Sequence, residues 1–438
     1  MAMQGIANIG RVPELKRRLL FVLFILAAYR LGCAIPTPGI DAVALASYFG
    51  KMQSTILGML SMFSGGALEQ MSIFALGIMP YISASIIMQL LTVVVPHLAA
   101  LKKEGQAGQK KINQYSRYGT IGLGLVQGFM LAVSLESANT PAGQIVLEPG
   151  WSFRIMTMFT LTAGTTLIMW MGEQINERGV GNGISLIIFA GIVARLPSAI
   201  ADTFAMVGVG EMSIFMLLIL AVVMLLVIAA ICFVEQAQRR LPVQYAKRVV
   251  GRRMYGGQTS HLPLKINVSG VIPPIFASAI IMFPMTIATF APQVGWLQGF
   301  SEFMNPMSWP YNVVYIIMIF FFAYFYTAVT FNPTDVADNM KKQGGFIVGI
   351  RPGKRTAEYI DRILTRLTLV GGAYLALVCV LPTVMISQMN VQFYFGGTAL
   401  LIVVGVSMDT VSQIEGHLLQ RQYDGFLKKG VIKGRAGK

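Results

Sequence analysis

Apolar residues gather in ten runs of about twenty residues, the length at which an α-helix crosses roughly 30 Å of hydrocarbon. The runs cover residues 19–35, 72–95, 118–135, 154–171, 184–200, 213–234, 271–291, 312–331, 367–386 and 394–412. The polar positions between them are strongly asymmetric. Of the 34 Lys and Arg residues, all but Arg30, Lys51, Arg154 and Arg195 fall in alternate connections counted from the N-terminus. Basic loops are retained on the cytoplasmic face of a membrane. The pattern therefore predicts ten transmembrane helices with both termini cytoplasmic.

Ten spans with both ends on one side can divide five and five, and an odd number per half inverts the second half relative to the first. The expected architecture is an all-α polytopic membrane protein in two inverted, pseudo-symmetric five-helix halves. Residues 1–205 would hold spans one to five and residues 206–438 spans six to ten. No residue-level repeat between the halves accompanies this symmetry. The first run, KRRLLFVLFILAAYRLGC, has the basic and apolar regions of a signal peptide. Arg30 interrupts its end, and nine more runs follow, so it is read as a retained span.

Two basic connections stand apart from the rest. One, from about 235 to 267, holds Arg239, Arg240, Lys247, Arg248, Arg252, Arg253 and Lys265. The other, from about 332 to 366, holds Lys341, Lys342, Arg351, Lys354, Arg355, Arg362 and Arg366. Orientation needs only a few charges, so these loops suggest a docking surface; solvated loops obeying the charge rule are the alternative. On the opposite side, LGMLSMFSGGALEQMS (57–72) is too short, and too interrupted by Gly65-Gly66, to span. It is also too apolar for water. Either it is buried in protein at membrane depth or it lies on the surface as a helix. Gly124 and Gly128, one turn apart in the third run, are expected to let helices pack closely.

Composition narrows the chemistry. Hydrophobic residues at 55% and charged residues at 12% exclude an ordinary soluble domain. The formal net charge of +15 resides in loops, where lipid headgroups and orientation account for most of it. Cys33, Cys232 and Cys379 are dispersed among apolar runs and form neither a disulfide framework nor a metal site. His97, His261 and His417 lack metal-ligand spacing, and GVGNG (179–183) lacks the strand and spacing of a dinucleotide site. No catalytic, cofactor or metal site is expected, and the chain is not read as an enzyme. Glu173, Glu235 and Asp409 lie toward span ends, which argues against an ion-coupled transporter. A secondary transporter, and a structural subunit without a pathway, remain as alternatives at this point.

Several long segments carry a resemblance. They are MFSGGALEQMSIFALGIMPYISASIIMQLL, QYSRYGT, GEQINERGVGNGISLIIFAGIVA, AKRVVGRRMYGGQTSHLPLKIN, GVIPPIFASAI, FNPTDVADNMKKQGGFIVGIRPGKRTAEYID and FYFGGTALLIV. Together they resemble the SecY family of protein-conducting channels of the general secretory pathway, in its bacterial form, over nearly the whole chain. The resemblance implies a channel closed at its waist by an aliphatic ring: Ile78, Ile82, Ile184, Ile188, Ile275 and Ile402. Residues from about 56 to 68 match the family's plug, with Met59, Leu60, Met62 and Phe63 as its apolar face and Gly65 and Gly66 as its joint.

The second and seventh spans would border a lateral gate opening to lipid. Pro80 and Pro284 are its candidate hinges, and Ser83, Gln89, Gln127 and Ser278 its polar lining. Arg252, Arg253, Arg351, Lys354 and Arg355 would dock a SecA-type motor ATPase and the ribosome. Small subunits of the SecE and SecG type are implied as partners. Signal peptides and unfolded passenger polypeptides would be the cargo, in the bacterial cytoplasmic (inner) membrane. No cofactor is implied.

Overall fold

The computed structural model describes residues 12–52, 61, 64–137, 139–140, 143–210, 213–245, 248–250, 253–255, 259–290, 299, 303–304, 308–389 and 397–429. The expected plug residues Met59, Leu60, Met62 and Phe63, and Arg252 in the first basic loop, lie outside these. By internal packing the chain divides into two compact units: residues 1–198 with 406–438, and residues 199–405.

The first unit contains α1 (Pro13–Cys33), α2 (Ala42–Met52), α3 (Met79–Val94), α4 (Pro96–Lys103), α5 (Gln106–Ser137) and α6 (Trp151–Arg178). A small hairpin, β1 (Asn139–Thr140) with β2 (Gly143–Gln144), joins the last two. Most of α7 (Gly183–Val209) belongs here as well, as does the end of α13 (Gly397–Lys429). Glycine sets how closely α5 and α6 approach. A Cβ on Gly128 would stand 3.3 Å from the Met158 backbone, and one on Gly124 would stand 3.4 Å from Thr162 Cγ2. The expected close packing at this glycine pair is therefore present. Gly122, on the same helix, faces open space.

The second apolar run departs from a single continuous span. Residues 64–77 form turns, with Met71 at φ 42° and Gly77 at φ 56°, and α3 starts only at Met79. Pro80 stands in the first turn of α3, where the missing N–H would have had no helical partner. It initiates the helix instead of kinking it. At the far end Val95 is extended ahead of Pro96, as proline requires of the residue before it, and α3 and α4 meet at 97°.

The second unit contains α8 (Ile214–Gln236), α9 (Ile272–Phe290), α10 (Trp309–Thr330), α11 (Pro333–Lys342), α12 (Lys354–Met389) and the start of α13. Pro284 lies inside α9, with a full turn of helix before and after it. Among the described residues, seven helices are long and apolar enough to cross a membrane, eight if the bent pair α3–α4 counts as one. The first and seventh expected spans are helices too. However, α1 carries Lys16, Arg17, Arg18 and Arg30 within 21 residues, and the apolar stretch of α9 at Ile272–Met282 is short.

The basic loops are not irregular. β3 (Gln238–Tyr245) pairs antiparallel with β6 (Thr259–Lys265) on one side and β7 (Gly345–Ile347) on the other. A second ribbon pairs β4 (Arg248–Val250) with β5 (Arg253–Tyr255). Strand β7 comes from the second basic loop, so one sheet joins both loops. One-sided burial leaves alternation only briefly, at Leu241 and Val243 of β3, and the partner strand β7 lies about a hundred residues further on, so charge-rich loops conceal the pairing.

Gly164 and Gly122 provide a matched test of the packing. A Cβ on Gly164 would overlap the carbonyl oxygen of Ile73. Gly164→Ala should lower thermal stability in detergent by about 1–3 kcal/mol as the overpacked site gives way. Gly122→Ala should stay within about 0.5 kcal/mol of the parent.

Candidate functional site

Between α1 and α3 the chain follows an unusual course. The stretch after α1 is held by paired backbone: Thr37 N–H donates to Met71 O at 2.8 Å, and Ile73 N–H donates to Ile35 O at 3.0 Å. Side chains fix what precedes it. Tyr29 OH donates to Ser64 O at 3.1 Å, and an Arg30 guanidinium N–H donates to Gly65 O at 2.9 Å. Ser64 Oγ donates to Ser61 O at 3.1 Å, and the Gly66 N–H donates to the same carbonyl at 2.9 Å. Arg195 forms an ion pair with Glu69 and donates to Ser61 Oγ at 3.2 Å; Ser61 in turn donates to Glu69 at 2.9 Å.

Glycine makes the segment fit. Gly65 is at φ 66° and Gly66 at φ 88°, a region that costs glycine nothing. A Cβ on Gly65 would stand 2.6 Å from the Cα of Gly191 in α7. On its other flank Ser64 meets Gly77, where a Cβ would stand 3.3 Å from Ser64 Cβ. The segment thus links the start of α3, where Ile78 caps the helix, to α7.

Ile184, Ile188, Gly191 and Arg195 lie at intervals of four, three and four, so they form one stripe along α7. Ile78, Ile82 and Ile188 are buried, and Ile184 is half-buried. Ile184 also serves the fold, since a Cβ on Gly172 of α6 would stand 3.3 Å from its Cγ1. In the second unit Ile275 and Ile402 are buried as well. The Tyr315 hydroxyl donates to Pro274 O at 3.4 Å and shares a 3.1 Å hydrogen bond with Thr398. One phenol therefore ties the turn that carries Ile275 to the helix face of Thr398 and Ile402. The six isoleucines divide four to two between the units.

Among the lateral-gate candidates, Ser83, Gln89 and Gln127 belong to the first unit, and Ser278 and Pro284 to the second. Gln89 Oε1 is buried without a hydrogen-bond partner among the described residues. Ser278 Oγ donates to Ile275 O of its own helix at 2.9 Å, so its polarity is spent locally.

The sheet that joins the basic loops covers a small core. Leu241, Val243, Leu264, Met340, Ile347, Ile360, Ile363 and Leu364 are buried together, with Tyr245 and Ile350 packed at the margin. Asn267 anchors its base, donating to Glu235 at 2.6 Å and to Gly270 O at 3.0 Å. Gly349 (φ 80°) and Gly353 (φ 104°) turn the chain sharply on either side of Arg351. Thr356 Oγ donates to Arg351 O at 3.0 Å, and the Arg351 side chain is left exposed. Arg239, Arg240, Lys265, Lys341, Lys342, Lys354, Arg355, Arg362 and Arg366 are exposed too, and none of them forms an ion pair among the described residues. Arg253 stands in β5.

Residue-type reasoning missed the contacts around residues 61–72. One signal pointed to them. Of the four cations outside the charge rule, Arg30 and Arg195 bind this segment, at the Gly65 carbonyl and at Glu69, and Arg154 pairs elsewhere with Glu136 at 2.6 Å.

Apolar helices of span length, an aliphatic stripe with a folded-back segment bound to it, and a basic platform without ion pairs among the described residues mark a multi-pass membrane protein. Comparison with known proteins agrees. The SecY family model matches residues 72–411. Protein translocase subunit SecY of Escherichia coli (strain K12) is 52% identical over 97% of this chain and 96% of the relative. The Pseudomonas aeruginosa protein of the same name is 49% identical over 99% and 97%. The chain belongs to the SecY family. Its fold matches a solved structure described as a protein conducting channel, with TM-score 0.64 at 17% identity over 98% of this chain and 99% of the other. A structure concerned with the SecY plug domain and the closed state matches equally, with TM-score 0.64. Sec61 in the canine ribosome-channel complex matches with TM-score 0.59 over the same shares.

The platform core carries a testable consequence. Ile360 is fully buried there, so Ile360→Ala should cost about 2–5 kcal/mol locally. Limited proteolysis should then cut the two basic loops faster while the spans stay protected.

Proposed function

We propose that this chain is the channel-forming subunit of the general secretory translocon, passing unfolded polypeptides across the bacterial cytoplasmic membrane and releasing membrane segments sideways into lipid. The observation that carries this reading is membership of the SecY family over residues 72–411, with relatives named as protein translocase subunits. In this reading Ile78, Ile82, Ile184, Ile188, Ile275 and Ile402 form the waist. Aliphatic side chains suit that role: they give a narrow constriction no hydrogen-bond partners, so it dewets and resists ion leakage. They also favour no particular passenger residue.

The segment around Gly65 and Gly66 acts as the plug's root, and the two halves part along α3 and α9 to form the lateral gate, with Ser83, Gln89, Gln127, Ser278 and Pro284 near the seam. Both termini and the basic platform face the cytoplasm. The platform receives a SecA-type motor, which supplies the energy, and the translating ribosome. Its exposed arginines suit both, because a guanidinium fork binds carboxylate or phosphate in bidentate fashion. SecE-type and SecG-type subunits complete the assembly.

Three outcomes check the reading. A photo-crosslinking residue at Ile188 should capture a secretory polypeptide stalled during export. Its absence, with docking verified, would favour a small-solute transporter or a subunit without a pathway. Arg351→Glu should slow motor-driven export by an order of magnitude or more while the chain still accumulates in the membrane; export at the parental rate would remove Arg351 from the docking surface. Ile188→Gly with Ile402→Gly should raise resting conductance in planar bilayers, and an unchanged leak would remove both from the waist.

A further inference from the structure

The ion pair between Glu69 and Arg195 is unlike the other pairs in the first unit. Arg117–Glu173 at 2.7 Å and Arg154–Glu136 at 2.6 Å each join two neighbouring helices, α5 and α6 or their ends. Glu69–Arg195 instead joins a turn to a helix, and both side chains are about three-quarters covered. Arg195 uses two nitrogens, one for Glu69 and one for Ser61 Oγ, and Ser61 closes the triangle by donating to Glu69. The turn so held includes Gly65, which abuts Gly191, one turn before Arg195 on the same stripe. That stripe begins with Ile184 and Ile188. Arg30 adds a third polar tie from α1 at the Gly65 carbonyl.

The covalent chain does not demand this arrangement. Among the described residues, backbone pairing to residues 35–37 reaches Met71 and Ile73. Among the described residues, Ser61 and Ser64 to Gln70 are held by their own turns and by the side chains of Tyr29, Arg30 and Arg195. Tyr29 and Arg30 bind carbonyls, which any sequence presents there. Glu69 with Arg195 is the part of the attachment that depends on a specific pair of side chains.

We propose that Glu69 and Arg195 form an electrostatic latch, which fastens the plug's root to the helix stripe bearing the waist isoleucines and must break before a passenger can enter. The inference rests on the channel reading above. A charged latch fits a seal that must hold when idle and release intact. Its partners are ionised groups that water accepts readily once separated, whereas a hydrophobic anchor of equal strength would expose apolar surface on release.

The test uses the full-length chain with its co-purifying subunits in lipid. Two readouts are taken: amide hydrogen exchange at Gly66 and Ser72, whose N–H groups donate to Ser61 O and Ala67 O, and resting conductance in planar bilayers. Glu69→Gln and Arg195→Gln should each speed exchange at these amides roughly tenfold or more, the size of a lost charged hydrogen bond, and should raise resting conductance. The swap of Glu69→Arg with Arg195→Glu should recover much of both, because the charges remain complementary. Arg195→Lys, which keeps the charge but loses the fork, should fall between.

Unchanged exchange in both neutral variants would overturn the latch. So would equal loosening by Arg154→Gln, which breaks a pair elsewhere, or faster exchange without any rise in conductance. If the neutral variants do not accumulate, parent against Arg195→Lys decides by the same two readouts. Should the parent complex pass no polypeptide at all, the channel reading fails, while the exchange result still reports on the attachment itself.

Discussion

Irregular backbone enclosed by apolar helices must have its N–H and C=O groups satisfied by protein, because neither lipid nor a dry interior will do so. Residues 64–77 are the place where this constraint governs the molecule. A helix would have met it internally, but Gly65, Gly66, Met71 and Gly77 all turn the chain in the left-handed region. The segment's carbonyls at Ser61, Ser64 and Gly65 are taken by Gly66, Ser64, Tyr29 and Arg30 instead. The same requirement accounts for Arg30 of α1, which donates to the Gly65 carbonyl, whereas Arg195 of α7 binds the side chains of Ser61 and Glu69.

From that attachment the rest of the first unit follows. The turns deliver the chain to Ile78 and Pro80, so α3 begins with its first apolar turn already placed. Gly77 against Ser64, Gly164 against Ile73 and Gly191 against Gly65 are contacts where backbone meets backbone or a small side chain. Close packing of this kind replaces the hydrophobic drive that lipid does not supply between helices. It also leaves the segment little room to shift by degrees.

The second unit solves a different problem. Loops that carry many like charges repel and would remain mobile if left to themselves. Pairing β3 with both β6 and β7 over Leu241, Val243, Ile347 and Ile360 turns two loops into one surface. The cations whose side chains are described, Arg351 among them, stay outside that core and are exposed. Gly349 and Gly353 present Arg351 at a sharp bend, so its position is fixed by backbone geometry while its side chain remains available. Docking a large partner on such a platform costs less ordering than docking it on free loops.

The sequence by itself determined the periodic features. Apolar runs of span length, the one-sided distribution of Lys and Arg, the glycine pair on α5 and the family-specific segments were all legible, because each is local or is counted along the chain. Tertiary structure alone decided the rest. That Pro80 opens a helix depended on the turns before it, and the shared sheet depended on strands about a hundred residues apart. The pairing of Glu69 with Arg195 crosses 126 positions. A charge in an apolar run tells the reader that a partner is required, since burying it alone costs too much. Which partner answers is set by where the folded chain brings the two together.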